Sequence, residues 1–144
     1  MNVHCTSLPA HFASYRLDGS GGSVSVARGC ARAYLELCSP AMPRDTAADA
    51  LLLVSELVTN AVSHAPGPCC LYLVEDQNEL TIAVSDESTT VPTPRAPDPG
   101  GSGGFGWHLL RRLARRVDVY VRPPWGKTVC ATMRIFAVAT SPVV

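Results

Sequence analysis

The sequence predicts a two-layer α/β (α+β) sandwich, in which helices cover one face of a mixed, mostly antiparallel sheet. Two observations support this prediction: strand-forming segments come in pairs joined by short turns, and helical patterns stand before and between the pairs. The chain has 144 residues and is 47% hydrophobic, which suits one domain with a sizeable core. We therefore expect a single domain over residues 1–144, of which roughly the first ten are flexible.

The first half of the chain predicts one strand followed by two helices. An extended piece lies at Tyr15–Leu17, and small and apolar residues then recur at helical spacing from Ala27 to Cys38. The stretch "SPAMPRDT" interrupts this pattern. A second helical pattern runs from Leu51 to Ala65, and the "PGP" at residues 66–68 ends it.

The second half predicts two hairpins separated by a loop and a third helix. "CLYLVE" and "LTIAVS" flank the polar "DQNE", and "VDVYVR" and "TVCATMRI" flank "PPWG". Residues 89–104 hold too much proline and glycine for a regular element, and such a long loop in a small domain is usually functional or disordered. Helical spacing returns from Trp107 to Val117. The predicted order is strand, helix, helix, two strands, helix, two strands.

The charge balance argues against two classes of partner. Twelve basic and twelve acidic residues cancel, so no long-range field favours nucleic acid or an anionic membrane surface. The chain does not start with a basic cluster ahead of an apolar run, and nowhere do ~18 apolar residues follow one another. We expect a cytoplasmic protein with no direct nucleic-acid partner and no membrane contact.

The six cysteines do not follow a metal-binding or disulfide pattern. No CxxC motif occurs, and each cysteine stands where an apolar residue would serve. Free cysteine is among the most buried residue types. Buried thiols are therefore the prediction for all six.

Asp86 is the first candidate for site chemistry. It continues the alternation of Leu80, Ile82 and Val84, so its carboxylate is predicted to lie on the core side at the end of a strand. A buried carboxylate needs hydrogen-bond donors, and a ligand amino group could supply one. The alternative is that Asp86 only caps the turn formed by the following "ESTT".

A polar stripe on the second helix is the next candidate. Glu56, Asn60 and His64 are four residues apart, so they lie one above the other on one helical face. Asn60 could bind Mg²⁺ through its hard oxygen, while Glu56 could orient water or accept a hydroxyl proton. The alternative is a solvated helix edge. His64 lies near the C-terminal end of the helix, where a partial positive charge is favourable, and we assign it a structural role.

Two glycine-containing motifs resemble phosphate-binding loops. "GSGGFG" at residues 101–106 matches GxGxxG, but a proline-rich loop precedes it where a dinucleotide fold requires a strand. Its glycines lead into a helix N-terminus, which suits phosphate, although a flexible linker is an equal alternative. "GKT" at residues 126–128 is not a P-loop, because Val121 stands where that motif needs glycine and a strand follows.

Taken together, four segments carry a family resemblance. "ELVTNAVSHA", "VSDES", "GGFGWHLLRRLA" and "GKTVCATM" resemble the GHKL ATP-binding superfamily of gyrase, heat-shock chaperone, histidine kinase and MutL ATPases. The resemblance covers most of the chain and is greatest to the stand-alone anti-sigma regulatory serine kinases of the actinobacterial type. It implies the GHKL, or histidine-kinase-like, ATPase fold, with residues 87–104 as an ATP lid.

The resemblance also implies a role for individual residues. Glu56 would be the general base, Asn60 the Mg²⁺ ligand, and Asp86 the acceptor for the adenine amino group. The other nucleotide contacts would come from Gly104 and Gly106 at the phosphates and from Thr128 beside the adenine. The implied cofactors are ATP and Mg²⁺.

The residues after Asp86 depart from the common pattern of the superfamily. That pattern is Asp-x-Gly-x-Gly, whereas residues 86–90 are "DESTT" and offer no glycine for close approach of the backbone to a nucleotide. The spacing of Asp86, Ser88 and Pro92 does resemble the actinobacterial branch.

Two functions of different classes follow from the resemblance. The first is a protein serine/threonine kinase that uses Mg²⁺-ATP to phosphorylate an anti-sigma-factor antagonist and that also sequesters a sigma factor, acting as a homodimer. The second is a catalytically weak, nucleotide-gated protein-interaction module, which the missing glycines after Asp86 favour.

Overall fold

The computed structural model of the chain describes residues 11–65, 67–91 and 105–136. Two sequence predictions fall outside these ranges, namely the flexible first ten residues and most of the ATP lid, including Gly104. The described elements follow the predicted order. They are β1 (His11–Leu17), α1 (Ser23–Cys38), α2 (Arg44–His64), β2 (Cys69–Asp76), β3 (Glu79–Asp86), α3 (Phe105–Leu113), β4 (Arg116–Arg122) and β5 (Gly126–Arg134).

The strands form one five-stranded sheet in the order β1-β2-β3-β5-β4, and all of its described pairings are antiparallel. The β2–β3 hairpin turns through Gln77 and Asn78, both of which have positive φ. Two consecutive residues with positive φ are typical of the turn that matches the twist of a hairpin. The predicted fold class, a two-layer sandwich with helices on one face, is confirmed.

The core lies between the helices and one face of the sheet. Every second residue of β2, β3 and β5 is buried against the helices, among them Leu71, Ile82 and Ala131. Helix α2 fills the centre of the layer, with Leu53, Leu57 and other apolar residues fully buried, and it packs against both α1 and α3. Each such large side chain contributes roughly 1.5–3 kcal/mol on burial.

Helix α2 begins earlier than the sequence pattern indicates. It starts at Arg44, directly after Pro43 and within the "SPAMPRDT" stretch, whereas the second helical pattern in the sequence begins at Leu51. Proline is tolerated at the start of a helix, and Asp45 in the first turn complements the partial positive charge there. The two prolines, Pro40 and Pro43, therefore interrupt the helical structure only up to residue 43.

The other face of the sheet carries mainly polar and small side chains. Ser85 and Thr128 hydrogen-bond to each other there, with 2.7 Å between their oxygen atoms, and Tyr72 and Cys130 lie on the same face. The five described cysteines are free, but only Cys69 is buried, and the others are partly exposed. The expectation of buried thiols is thus confirmed only for Cys69.

None of the helices in the described ranges is long and apolar enough to cross a membrane.

Candidate functional site

The residues of interest gather at one end of the sheet, which we call the Asp86 end. Here β1 ends, β2 begins, β3 ends at Asp86 and β5 begins at Gly126, because Leu17 pairs with Cys69 and Asp86 pairs with Lys127. Helix α2 ends at His64, and only four residues separate it from the start of β2 at Cys69. The C-terminal half of α2, with Asn60, therefore lies at the same end of the molecule as Asp86.

Asp86 is buried on the helix side of the sheet, as the alternation of residues along β3 predicts. Its carboxylate has a partner, Lys127, that was not predicted from the sequence. The Lys127 ammonium donates to both carboxylate oxygens of Asp86, at 2.9 Å to Oδ1 and 2.8 Å to Oδ2. Both side chains are only 4% exposed. The backbone N–H of Ser88 also donates to Oδ1 at 2.9 Å, so the turn cap proposed as the alternative for Asp86 is present as well.

The backbone of β3 and β5 fixes Lys127 opposite Asp86. Gly126 has φ +143, and a Cβ atom there would come within 1.9 Å of the Asp86 carbonyl oxygen. Only glycine therefore permits the two strands to approach so closely. A signal for Lys127 was present in the sequence, because it precedes Val129 and Ala131 at a spacing of two and so shares their buried face.

Thr128 does not fit its expected role. It lies one residue further along β5, so its side chain points to the opposite face of the sheet, where it hydrogen-bonds Ser85. A side chain on that face cannot join a site built around the Asp86 carboxylate. Lys127, not Thr128, is the residue of the "GKT" motif that lies beside Asp86.

Glu56 and Asn60 occupy one flank of α2 and are both partly buried. Ser55, which accepts a hydrogen bond from Arg28 of α1 at 2.8 Å, marks the flank that faces α1. At 100° per residue, Glu56 and Asn60 point away from that flank. Burial raises the pKa of the Glu56 carboxyl above its ordinary value. His64 is exposed and lies in the last turn of the helix.

Helix α3 begins at Phe105, so Gly106 lies in its first turn, where free backbone N–H groups are available. Trp107, one residue on, is 8% exposed. Among the described residues, its indole N–H is a buried donor without a hydrogen-bond partner, and the Arg111 guanidinium lies 5.3 Å from the ring centroid. In the sequence, the position of Trp107 indicates only helical spacing.

The oxygen donors present suit Mg²⁺. The described residues contain no cluster of three or more histidine, cysteine, aspartate or glutamate side chains that could hold a metal ion. In nucleotide sites, Mg²⁺ is bound by one or two protein oxygens together with substrate phosphates and water. The amide oxygen of Asn60, with the carboxylate of Glu56 one turn away, is a donor set of that kind.

A separate groove of about 500 Å³ lies at the opposite end of the sheet. It is bounded by the start of α2, the end of α3 and the end of β5. Its lining includes Thr46, Asp49, Arg112, Arg115, Met133 and Arg134. This groove contains none of the residues that the sequence analysis assigned to the site.

Comparison with known proteins yields one family and several structures. The protein-family model of the histidine kinase-like ATPase domain matches residues 21–133. The crystal structure of the RsbU and RsbW domains of Rv1364c from Mycobacterium tuberculosis is similar, with a TM-score of 0.63 and 19% identity over 88% of this chain and 33% of that one. No curated protein sequence matches the chain.

Two histidine kinase domains show weaker similarity. One is from the blue-light activated histidine kinase of Erythrobacter litoralis EL346, with 25% identity and a TM-score of 0.44 over 65% of this chain and 46% of that one. The other is from the E. coli osmosensor EnvZ, with 11% identity and a TM-score of 0.46 over 97% of this chain and 98% of that one. The family model and the fold of the M. tuberculosis protein confirm the GHKL resemblance.

Proposed function

The chain belongs to the family of histidine kinase-like ATPase domains, and on that premise we propose that it is an ATP-binding protein serine/threonine kinase. Its substrate would be an anti-sigma-factor antagonist. It would also bind a sigma factor without phosphorylating it, and it would control transcription in the cytoplasm through these two protein contacts. ATP binding is the part of this proposal that the family itself implies. The kinase activity and the partners come from the sequence resemblance.

The observation that carries the proposal is the arrangement at the Asp86 end. A partly buried Glu56 and Asn60 lie on one flank of α2, at the same end of the molecule as the buried carboxylate of Asp86. The first turn of α3, with Gly106, follows the segment predicted to be the lid. In the proposed site, Asp86 would bind the adenine amino group, Glu56 would be the base that accepts the hydroxyl proton, and the start of α3 would bind phosphate.

Glu56 suits the role of general base. Its pKa is raised by desolvation, and a carboxylate with a raised pKa accepts a proton more readily than an exposed one. In the proposed reaction, the serine hydroxyl oxygen of the antagonist bonds to the γ-phosphorus of ATP. The bond from that phosphorus to the β–γ bridging oxygen breaks, ADP leaves, and the hydroxyl proton passes to Glu56.

Asn60 would hold Mg²⁺ through its amide oxygen, and the ion, when bound, would neutralise charge on the phosphates. Asn60 lies one helical turn from Glu56. The same flank of α2 thus orients the triphosphate and the base. The homodimer that the family resemblance implies remains part of the proposal.

A second function rests on a specific observation. Asp86 is already paired with Lys127, and residues 87–90 lack glycine. The ion pair with Lys127 reduces access of a nucleotide to the Asp86 carboxylate. The missing glycines reduce its access to the backbone. A nucleotide-gated interaction module without catalysis is therefore the alternative.

Phosphate transfer from labelled ATP separates the two functions. Purified protein is incubated with Mg²⁺, [γ-³²P]ATP and candidate antagonists encoded in the same genome, and the serine phosphate is counted. Glu56→Gln should slow transfer roughly 10²- to 10⁴-fold while nucleotide affinity stays within a few-fold, since it removes the base and keeps the shape. Glu36→Gln, on the exposed side of α1, is the matched control and should transfer normally.

The kinase proposal fails if wild-type protein binds ATP but labels none of the antagonists. Transfer by Glu56→Gln at the wild-type rate would remove Glu56 from the mechanism while leaving ATP binding in place.

A further inference from the structure

We propose that Lys127 determines base recognition in this nucleotide site, because it holds the Asp86 carboxylate in the free protein and competes with adenine for it. This inference rests on the proposed ATP site and adds a residue to it. Lys127 thereby limits the affinity for ATP and weakens the preference for adenine over guanine.

The hydrogen bonds of Asp86 are the first part of the argument. An ionised carboxylate has about four acceptor positions. Lys127 occupies one position on each oxygen, and the Ser88 N–H occupies a second position on Oδ1. Only one position, on Oδ2, remains. An adenine amino group would therefore have to share Oδ2 with the ammonium or replace it.

Charge and burial make replacement costly. An ammonium is a stronger donor to a carboxylate than a neutral amino group is. With its side chain 4% exposed, Lys127 would lose its counter-charge if adenine took Asp86. Removing one partner from a buried ion pair leaves an uncompensated charge. If adenine replaces the ammonium on Asp86, Lys127 must therefore leave the pocket, and if adenine shares Oδ2, the two donors compete for that oxygen.

The backbone cannot relieve this competition. Gly126 lies against the Asp86 carbonyl, and β3 and β5 stay paired up to Asp86 and Lys127. The two strands therefore cannot move apart locally without breaking the sheet. Only rotation of the Lys127 side chain can free the carboxylate.

The pair also changes which base the site favours. Asp86 alone accepts from the 6-amino group of adenine and repels the 6-carbonyl oxygen of guanine. The Lys127 ammonium can donate to that carbonyl oxygen. With Lys127 in place, the site thus offers guanine a contact that a carboxylate alone would deny it.

Calorimetric titration of ATP and GTP in the presence of Mg²⁺ tests the inference on the full chain. Lys127→Thr should raise ATP affinity about ten- to a hundredfold over wild type, since no ammonium then competes with adenine for Asp86. GTP affinity should rise less or fall. Cys130→Ala, on the same strand but on the opposite face of the sheet, is the matched control and should bind both as wild type does.

An ATP affinity of Lys127→Thr that equals or falls below that of wild type would overturn the inference, and so would failure of both proteins to bind ATP. The kinase proposal is judged separately, by phosphate transfer from wild-type protein. Unchanged affinity in the variant together with normal transfer in wild type would remove only the inference. A gain in affinity without transfer would remove only the kinase.

A second measurement needs no variant, because Lys127 is the only lysine in the sequence. Labelling with ¹⁵N-lysine gives a single side-chain ammonium signal in NMR. Since Lys127 is buried and paired, this signal should exchange slowly with water in the free protein. Saturating Mg²⁺-ATP should shift it or abolish it by fast exchange. An ammonium signal that saturating ATP leaves unchanged would show that Lys127 stays on Asp86, and the inference would be wrong.

Discussion

The two ends of the sheet carry the same kinds of charged residue in opposite settings. At the Asp86 end, one aspartate and one lysine form an ion pair whose side chains are 4% exposed. At the opposite end, Arg115 pairs with Glu79 at 2.6 Å, but their side chains are 51% and 34% exposed, and they lie beside an arginine-lined groove.

The two ion pairs differ in how much they stabilise the fold, because one is buried and the other is exposed. Exposed ion pairs contribute roughly 0–1 kcal/mol, because water solvates both partners and salt screens them. Breaking a buried pair by removing one partner costs about 3–5 kcal/mol, because the remaining charge is left unpaired. The Asp86 end therefore depends on its pair, and the opposite end does not depend on Arg115 and Glu79.

The largest expected effect is at Asp86. Asp86→Ala leaves the buried Lys127 ammonium without a counter-charge and should lower the free energy of unfolding by about 3–5 kcal/mol. Urea denaturation followed by circular dichroism measures this. A double variant, Asp86→Ala with Lys127→Met, should recover much of the loss. If Asp86→Ala alone unfolds at the wild-type midpoint, the buried pair does not stabilise this end.

Gly126 gives the next largest effect. Gly126→Ala places a Cβ atom 1.9 Å from the Asp86 carbonyl oxygen at φ +143, and it should cost on the order of 3 kcal/mol through backbone strain and displacement of the strand. The control is Gly29→Ala in α1, where a Cβ meets nothing within 4 Å. That substitution should stabilise the protein by about 0.5–1 kcal/mol. Equal thermal shifts for the two variants would contradict the close approach of β3 and β5.

Glu56 gives a smaller, pH-dependent effect. Because burial raises its pKa in the folded state, ionised Glu56 opposes folding at neutral pH, and Glu56→Gln should raise the melting temperature slightly at pH 7. The gain should shrink as pH falls through the folded and then the unfolded pKa, because Glu56 is then protonated in both states. Thermal melts between pH 4 and 8 check this. A gain that grows on acidification would mean that the pKa of Glu56 is lowered instead.

The smallest effect is expected at the far end. Glu79→Gln removes the exposed pair with Arg115 and should change the free energy of unfolding by less than about 1 kcal/mol, an effect that added salt should screen. Chemical denaturation in low and high salt measures it. A loss comparable to that of Asp86→Ala would erase the distinction between the two ends.

The sequence predicts local structure well because hydrophobic period and turn residues are local signals. The three helices and the core-side position of Asp86 follow from hydrophobic spacing, and both hairpins follow from strand-forming segments that flank turn residues. The start of α2 was missed because proline interrupts a pattern without showing that a helix begins directly after it.

The contents of the site were less predictable, because they depend on the pairing of strands distant in sequence. Lys127 meets Asp86 only through the register of β3 and β5, and the family resemblance directed attention to the neighbouring Thr128. A shift of one residue in a strand moves a side chain to the other face of the sheet. The burial of the Trp107 indole N–H, which has no hydrogen-bond partner within residues 11–65, 67–91 and 105–136, likewise depends on packing that periodicity does not reveal.

Hydrogen exchange with and without Mg²⁺-ATP tests most directly whether the Asp86 end is the nucleotide site. We expect slower exchange in the C-terminal half of α2 and at the paired ends of β3 and β5, because ATP would contact Asn60 and Asp86. We expect no change around the groove lined by Arg112 and Arg134 at the opposite end. ATP-dependent protection confined to that groove, with none at the Asp86 end, would show that the Asp86 end is not the nucleotide site.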